Sequence, residues 1–211
     1  MSRLKSPFLW FILALLTTAG LTAVGPEEQT LGSNVRIVYL HGAWALTAEI
    51  ALALAALAGL FGILSKREAL HRWSAALGYT GLFFWLTYLP LSLWAMQANW
   101  NGLFLAEPRF RVAVIFAITG FLLQLGLTLL AKPPFTSLFN VLYFVALRIS
   151  LSRAEYVMHP PPSPIFSSGD WRIIGFFLAL NLLTLLAAYW ATGLFFHFAG
   201  KQIPIQPHNK L

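Results

Sequence analysis

Long apolar stretches separated by short polar segments dominate this chain. Each stretch is close to the roughly 20 residues that an α-helix needs to cross the hydrocarbon core of a bilayer. The fifth stretch is the shortest and carries Arg148 near one end, where a long side chain can reach the membrane interface. The pattern predicts an all-α polytopic membrane protein, a bundle of six transmembrane helices at about 7–24, 38–64, 73–96, 112–131, 135–151 and 173–199.

The composition supports a single membrane domain over residues 1–211. Hydrophobic residues make up 58% of the chain and charged residues only 10%, whereas about a quarter of the residues in soluble domains are charged. The chain has no cysteine, which excludes thioether-linked haem, thiolate-ligated iron–sulfur clusters and disulfide exchange. It also has no G-x-x-x-x-G-K-[ST] phosphate loop, so any transport here is not driven by its own nucleotide hydrolysis.

The basic residues outside the apolar stretches predict the orientation in the membrane. They precede the first stretch, separate the second from the third and the fourth from the fifth, and follow the sixth; they are Arg3, Lys5, Lys66, Arg67, Arg72, Lys132, Lys201 and Lys210. Segments rich in lysine and arginine stay in the cytoplasm, so we expect a multi-pass protein of the bacterial cytoplasmic (inner) membrane with both termini inside. The net charge of +7 reflects this topology, and no nucleic-acid partner is expected.

The first stretch has a second interpretation. Two early basic residues, an apolar run and the small residues at 22–25 resemble a secretory signal, which would be cleaved. We favour a retained anchor because the apolar run is long and a six-span bundle leaves both termini inside.

Two histidines, His41 and His159, fall next to predicted outer loops on the same side of the membrane. Two neutral imidazoles on one face are what a haem iron needs as axial ligands. A porphyrin is a flat apolar disc with two carboxylates, so it also favours aromatic side chains and cations. Outer residues of these kinds are Trp44, Trp94, Trp100, Phe104, Arg109 and Arg111. The alternative is a pair of interfacial histidines within an ordinary aromatic belt.

Local sequence around the outer loops resembles a known family. Residues 34–41 read N-V-R-I-V-Y-L-H and resemble the R-I-x-Y-x-H entry to the second span of the membrane haem-handling proteins of cytochrome c maturation, the CcmC type of the cytochrome c assembly protein family. Residues 100–109 read W-N-G-L-F-L-A-E-P-R and match in register that family's W-G-x-W-W-x-W-D-x-R segment. His159 stands where the family has its second outer histidine, and the resemblance covers roughly residues 25–198.

The tryptophan-rich segment is degenerate in this chain. Leu103, Phe104 and Ala106 replace the family's three later tryptophans, and Glu107 replaces its aspartate. In the family this aromatic segment holds the porphyrin edge-on while the two histidines hold its iron. A reduced aromatic surface predicts weaker haem binding here.

The resemblance implies a non-enzymatic function, the binding and relay of haem at the outer face of the membrane during cytochrome c assembly. It implies non-covalent, transient haem b with His41 and His159 as axial iron ligands. Besides the lipid bilayer, the implied partners are a haem chaperone and the subunits of an ATP-driven transporter. Two alternatives stay open: a diverged, non-haem structural subunit whose altered loop docks a protein, and a b-type haem or quinone-site membrane anchor.

Three further residues leave their roles open. Glu49 lies roughly 12 Å deeper along the second stretch than His41, at about 1.5 Å per residue, and an acid at that depth is costly unless it is protonated or paired. It is either functional or a neutral acid hydrogen-bonded inside the bundle. His71 and His197 fall on the predicted inner side, where they form either an inner haem site or ordinary interfacial histidines.

Overall fold

The computed structural model describes residues 6–155, 157 and 164–202, and only the backbone of residues 201 and 202. Over these residues the chain is helical apart from loops and one isolated bridge between Glu28 and Gly32. The helices of this described part are α1 Pro7–Ala23, α2 Val35–Ser65, α3 Glu68–Trp100, α4 Pro108–Leu130, α5 Pro133–Arg153, α6 Pro164–Ser167 and α7 Trp171–Gln202. The all-α prediction is confirmed.

Every predicted apolar stretch forms a helix. Five of these helices, α2, α3, α4, α5 and α7, are long and apolar enough to cross a membrane. Helix α1 is apolar but has only 17 residues, the lower limit of the roughly 17–25 that a spanning helix needs. The helices therefore have the lengths and composition of a multi-pass membrane protein, and the sixth span stays a prediction.

Proline and left-handed residues mark the helix boundaries. A proline occupies the first turn of three helices, where its missing N–H is not needed; these are Pro7, Pro108 and Pro133. Three helices end at a residue with positive φ, the usual way to stop a helix; these are Lys66, Asn101 and Ala131. The two-residue connections at 66–67 and 131–132 make α2 and α3, and likewise α4 and α5, antiparallel neighbours.

Small side chains on α2 bring the helices close together. Ala43, Ala48 and Ala55 are fully buried, and α2 packs against α3, α5 and α7. Without a hydrophobic driving force inside a bilayer, close van der Waals contact of this kind is what holds helices together. Helix α1 packs along α7, where Trp10 stacks on Trp190 with ring centroids 6.0 Å apart.

A buried polar network joins four helices and is called here the Asn140 network. The Asn140 side-chain amide donates to the backbone oxygen and the hydroxyl of Ser74, both at 2.9 Å, and accepts from the Gln124 amide at 2.8 Å. The Ser74 hydroxyl donates in turn to the Ala55 carbonyl at 2.8 Å. Gly78 leaves room for this network, because a Cβ there would stand 2.8 Å from the Asn140 amide oxygen.

The bundle has two unequal ends. We call them the Trp100 end, where α3 finishes, and the Ser65 end, where α2 finishes. The Trp85 indole donates to the Ala113 carbonyl at 3.0 Å, which fixes the level of α4 beside α3. Beyond this contact α3 continues for about 22 Å and α4 for only about 8 Å, at about 1.5 Å per residue. The long helices therefore project past α4 at the Trp100 end.

Candidate functional site

A cavity of about 670 Å³ lies in the projecting part of the bundle at the Trp100 end. Its walls come from α2, α3, the start of α7, the short helix α6 and the loop between α1 and α2. The volume falls within the roughly 300–1,000 Å³ of small-molecule sites. His41, Tyr39, Met96 and Trp100 are among the side chains that line it. We call it the outer cavity, after the orientation that the sequence predicts for this end.

The His41 imidazole is held at the wall of the outer cavity by its neighbours. It is only 8% exposed and stacks on the Tyr88 ring with centroids 5.3 Å apart and planes 22° apart. Its Nδ1 lies 3.4 Å from the Val38 carbonyl oxygen. Tyr88 stacks on Trp85 in turn, with centroids 5.5 Å apart. An imidazole whose plane is fixed in this way is pre-organised to ligate or to donate a hydrogen bond.

Tyr39 lines the same cavity and has a buried hydroxyl without a partner among the described residues. The residue is 1% exposed, and its ring packs against Phe176 with centroids 5.5 Å apart. Its hydroxyl is buried and has no hydrogen-bond partner among the described residues. A buried hydroxyl without a partner destabilises the fold by about 1–3 kcal/mol.

The loop between α1 and α2 forms an ordered wall of the outer cavity. The Glu28 carboxylate accepts the backbone N–H groups of Thr30 and Leu31, both at 2.9 Å. These hydrogen bonds, that of Leu31 foremost, lower the pKa of Glu28. The Asn34 amide donates to the Ala98 carbonyl on α3 at 2.8 Å. The loop is thus tied both to itself and to the helix across from it.

Paired charges of both signs surround the cavity. The Arg172 guanidinium donates to Asp170 at 2.8 Å, and this side-chain hydrogen bond lowers the pKa of Asp170 to about 2. Arg36 donates to the Glu27 carboxylate at 3.2 Å and to the Gly25 carbonyl at 2.9 Å. Three carboxylates and one guanidinium line the cavity, those of Glu27, Glu28, Asp170 and Arg172, and both arginines are engaged with protein oxygens.

The structure brings two of the eight predicted site residues, His41 and Trp100, to the outer cavity. Trp44 instead lies between α2 and α3, where its indole N–H donates to the Thr87 hydroxyl at 2.8 Å and its ring lies 4.8 Å from that of Phe84. Trp44 thus contributes to helix packing. His159, the predicted second axial ligand, lies outside the described residues.

The other four predicted site residues surround the Trp100 end without lining the outer cavity. Trp94 and Phe104 are 61% and 37% exposed. Arg111 is exposed and Arg109 is half-buried at the start of α4. Arg109 is near enough to the Tyr88 hydroxyl to interact with it electrostatically.

Glu49 is paired in the structure. It forms an ion pair with Arg148 of α5, although the sequence suggested that Arg148 reaches the interface and that Glu49 is functional or neutral. The Glu49 side chain is 23% exposed and that of Arg148 is 50% exposed. The two charges compensate each other between α2 and α5.

The two predicted inner histidines have different surroundings. His71 is 5% exposed, and its Nδ1 lies 2.6 Å from the Ser137 hydroxyl oxygen. His197 is exposed on α7. His71 therefore takes part in helix packing at the Ser65 end.

Sequence reasoning did not select three residues of the outer cavity. Tyr39 appeared only as part of a motif, and neither Met96 nor Asp170 was proposed as a site residue. The spacing of Met96 and Trp100, four residues apart on one helix, places them on the same face, which is a signal the sequence contains. Nothing in the sequence shows that the Tyr39 hydroxyl lacks a partner.

No protein-family model, curated protein or solved structure matches this chain. The resemblance to haem-handling proteins therefore rests on residues 34–41 and 100–109, on the position of His159 and on the order of the apolar stretches.

Proposed function

We propose that this protein binds haem in the outer cavity and relays it during cytochrome c assembly, without bond-making chemistry of its own. In this proposal all six apolar helices cross the bacterial inner membrane, both termini are cytoplasmic, and the Trp100 end faces outward. Haem is the cargo, and the partners are a haem chaperone and the subunits of an ATP-driven transporter.

The observation that carries the proposal is the position of His41, a pre-oriented imidazole lining a cavity of about 670 Å³. Imidazole is the commonest protein ligand of haem iron. Trp100 offers an aromatic face in the same cavity. These features fit an amphipathic ring of porphyrin size.

The second iron ligand has two candidates. The resemblance implies His159, and the described wall of the cavity contains the Met96 thioether. Methionine opposite histidine raises the reduction potential of a haem relative to two histidines. The potential of the bound haem, measured in the wild type and in Met96→Leu and His159→Ala variants, therefore distinguishes the two.

The experiment that tests the proposal is an absorption spectrum of protein purified from haem-replete cells, oxidised and reduced. The wild type should show a Soret band. His41→Ala should retain at least about tenfold less haem, since even loss of a residue that merely supports a metal ligand costs 10- to 100-fold in affinity. His197→Ala, which removes an exposed histidine far from the cavity, is the matched control and should behave as the wild type. Equal haem in the His41→Ala and wild-type proteins would contradict the proposal.

The orientation has its own test, because the natural chain has no cysteine. Single cysteines at Ser33, Asn101 and Ser168 should react with a membrane-impermeant maleimide in intact cells. A cysteine at Ser65 should react only after permeabilisation. Reaction of Ser65→Cys in intact cells would reverse the orientation and remove haem delivery to the outside.

An exposed loop favours a second candidate function, the structural subunit. Leu103 and Leu105 are 53% and 56% exposed beside Phe104 in the loop between α3 and α4. Apolar side chains on an outer loop are suited to contact with another protein. If the wild type holds no haem but Leu103→Ser and Leu105→Ser together release a co-purifying membrane protein, this function replaces the first.

A further inference from the structure

A second cavity, of about 280 Å³, lies between α1, α2, α3 and α7 toward the Ser65 end of the bundle. Its lining consists mainly of aliphatic and aromatic side chains, and we call it the Trp73 cavity after one of them. The hydroxyl groups of its two threonines are already used. The Thr47 hydroxyl donates to that of Thr184 at 2.7 Å, and the Thr192 hydroxyl donates to the Ala188 carbonyl at 2.8 Å.

A cavity with this lining suits an apolar molecule better than water. An ordered water needs about two to four polar partners, and an engineered apolar cavity of about 150 Å³ binds benzene and excludes water. The Trp73 cavity, at about 280 Å³, is nearly twice as large. Its occupant is therefore an apolar group larger than a single ring.

The Trp73 cavity is long and open to the surface of the helices. It extends from the level of Trp73, about 8 Å along α3 from its start, to that of Thr47, about 27 Å along α2 from its end, at about 1.5 Å per residue. This length is close to one leaflet of hydrocarbon, about half of the roughly 30 Å core. Leu54, Trp73 and Tyr189 line the cavity and are 46%, 43% and 66% exposed. A lipid tail can therefore enter the cavity from the side.

Basic side chains lie at the Ser65 end of the Trp73 cavity. Lys66 and Arg67 are exposed in the connection between α2 and α3. The Arg72 guanidinium stacks 3.9 Å from the centroid of the Phe196 ring, and the Trp73 ring lies 4.4 Å from the same ring. Phe196 thus links Arg72 to the wall of the cavity. Within the described part of the chain, none of the three basic residues is in an ion pair.

We propose that the Trp73 cavity binds one acyl chain of an anionic phospholipid, whose phosphate is bound by Lys66, Arg67 and Arg72. Basic pockets at the ends of membrane helices attract acidic headgroups. The Arg72 Nε–H donates to the Phe196 carbonyl at 3.1 Å, which leaves its terminal N–H groups for the phosphate. This site is separate from the outer cavity and does not depend on haem.

The headgroup is tested by native mass spectrometry of the full-length protein in detergent. The probes are phosphatidylglycerol and phosphatidylcholine with identical chains. The wild type should bind one phosphatidylglycerol at least about fivefold more tightly than phosphatidylcholine, and Arg67→Gln should weaken phosphatidylglycerol binding about fivefold, the effect of one basic residue near a lipid surface. Arg111→Gln, which removes an exposed arginine at the Trp100 end, is the matched control and should bind as the wild type.

The chain site is tested by filling the cavity. A Cβ at Gly193 would meet only Pro7, at 3.8 Å, so Gly193→Leu has room to extend into the cavity. It should weaken binding of both lipids at least about tenfold. Gly126→Leu places the same side chain on α4 where nothing lies within 4 Å, and it should bind as the wild type. Leu54→Trp, at the exposed mouth of the cavity, gives the same readout if Gly193→Leu does not fold.

Three results would overturn the lipid site. Equal affinity of the wild type for the two lipids, or an unchanged affinity in Arg67→Gln, would remove the headgroup interaction. Unchanged lipid binding in the folded cavity-filling variants would show that no chain enters the cavity. Co-purification of an isoprenoid quinone in place of phospholipid, lost in the same variants, would assign the cavity to a different ligand. The haem content of the wild type tests the proposed function separately.

Discussion

Replacing Arg148 with leucine isolates the charge of Glu49 inside the bundle. The two side chains form an ion pair between α2 and α5. Glu49 lies about 24 Å along α2 from the Ser65 end, and Arg148 about 22 Å along α5 from its start, at about 1.5 Å per residue. The pair therefore lies at one level of the two helices, about 8 Å before the end of α5 at Arg153.

The loss of stability in each variant depends on which of the two charges is left unpaired. Removing one partner of a fully buried pair costs about 3–5 kcal/mol; since both side chains are partly exposed, we expect about 2 kcal/mol for Arg148→Leu. Glu49→Leu should cost about 1 kcal/mol, because the long arginine side chain can turn toward the interface. The double variant should cost less than about 1 kcal/mol, because no charge is left unpaired.

The assay is a double-mutant cycle on the free energy of unfolding in detergent or lipid micelles. The expected coupling energy is about 2 kcal/mol in favour of the pair. Arg111→Leu, which removes an exposed arginine at the start of α4, is the control and should change stability by less than about 0.5 kcal/mol. Additive effects of the two single substitutions would refute the role of the ion pair.

The remaining predictions concern packing and pH. Trp44→Ala should destabilise the protein by about 3 kcal/mol because the indole is packed and hydrogen-bonded. The control Trp94→Ala should change the free energy of unfolding by less than about 0.5 kcal/mol. Equal effects of the two substitutions in chemical unfolding would contradict this prediction. Asn140→Leu should cost about 1–3 kcal/mol by leaving its partners unsatisfied, seen as a lower melting temperature. The pKa of Asp170 is lowered to about 2, so its pair with Arg172 stabilises the fold above about pH 4 and is lost as the pH falls toward about 2. Asp170→Asn should therefore melt below the wild type at neutral pH and together with it in acid; a constant difference would contradict this.

Helix positions were predictable from the sequence because one physical cause dominates them. The apolar stretch at 112–131 became Pro108–Leu130 and that at 135–151 became Pro133–Arg153, with prolines at both starts. Both the burial of apolar side chains and the internal hydrogen bonding of a helix depend on residues that are close together in the sequence. The helices extend beyond the stretches because polar residues can continue a helix past the hydrocarbon.

The positions of side chains around the cavity were less predictable because they depend on packing between helices. The sequence marks Trp44 as an aromatic residue near an outer loop, but a contact with Thr87 on α3 decides where its indole lies. The partner of Glu49 is Arg148, 99 residues further along the chain. Neither contact has a local sequence signal, since both require the relative rotation of two helices.

The most direct measurement of the central claim is an electron cryo-microscopy structure of the haem-loaded protein, enlarged by a bound antibody fragment. We predict density for a porphyrin in the outer cavity, with its iron within coordination distance of the His41 imidazole and one ring face near Trp100. Density for haem at the Ser65 end beside His71, or a cavity filled by side chains with no porphyrin under saturating haem, would contradict the account.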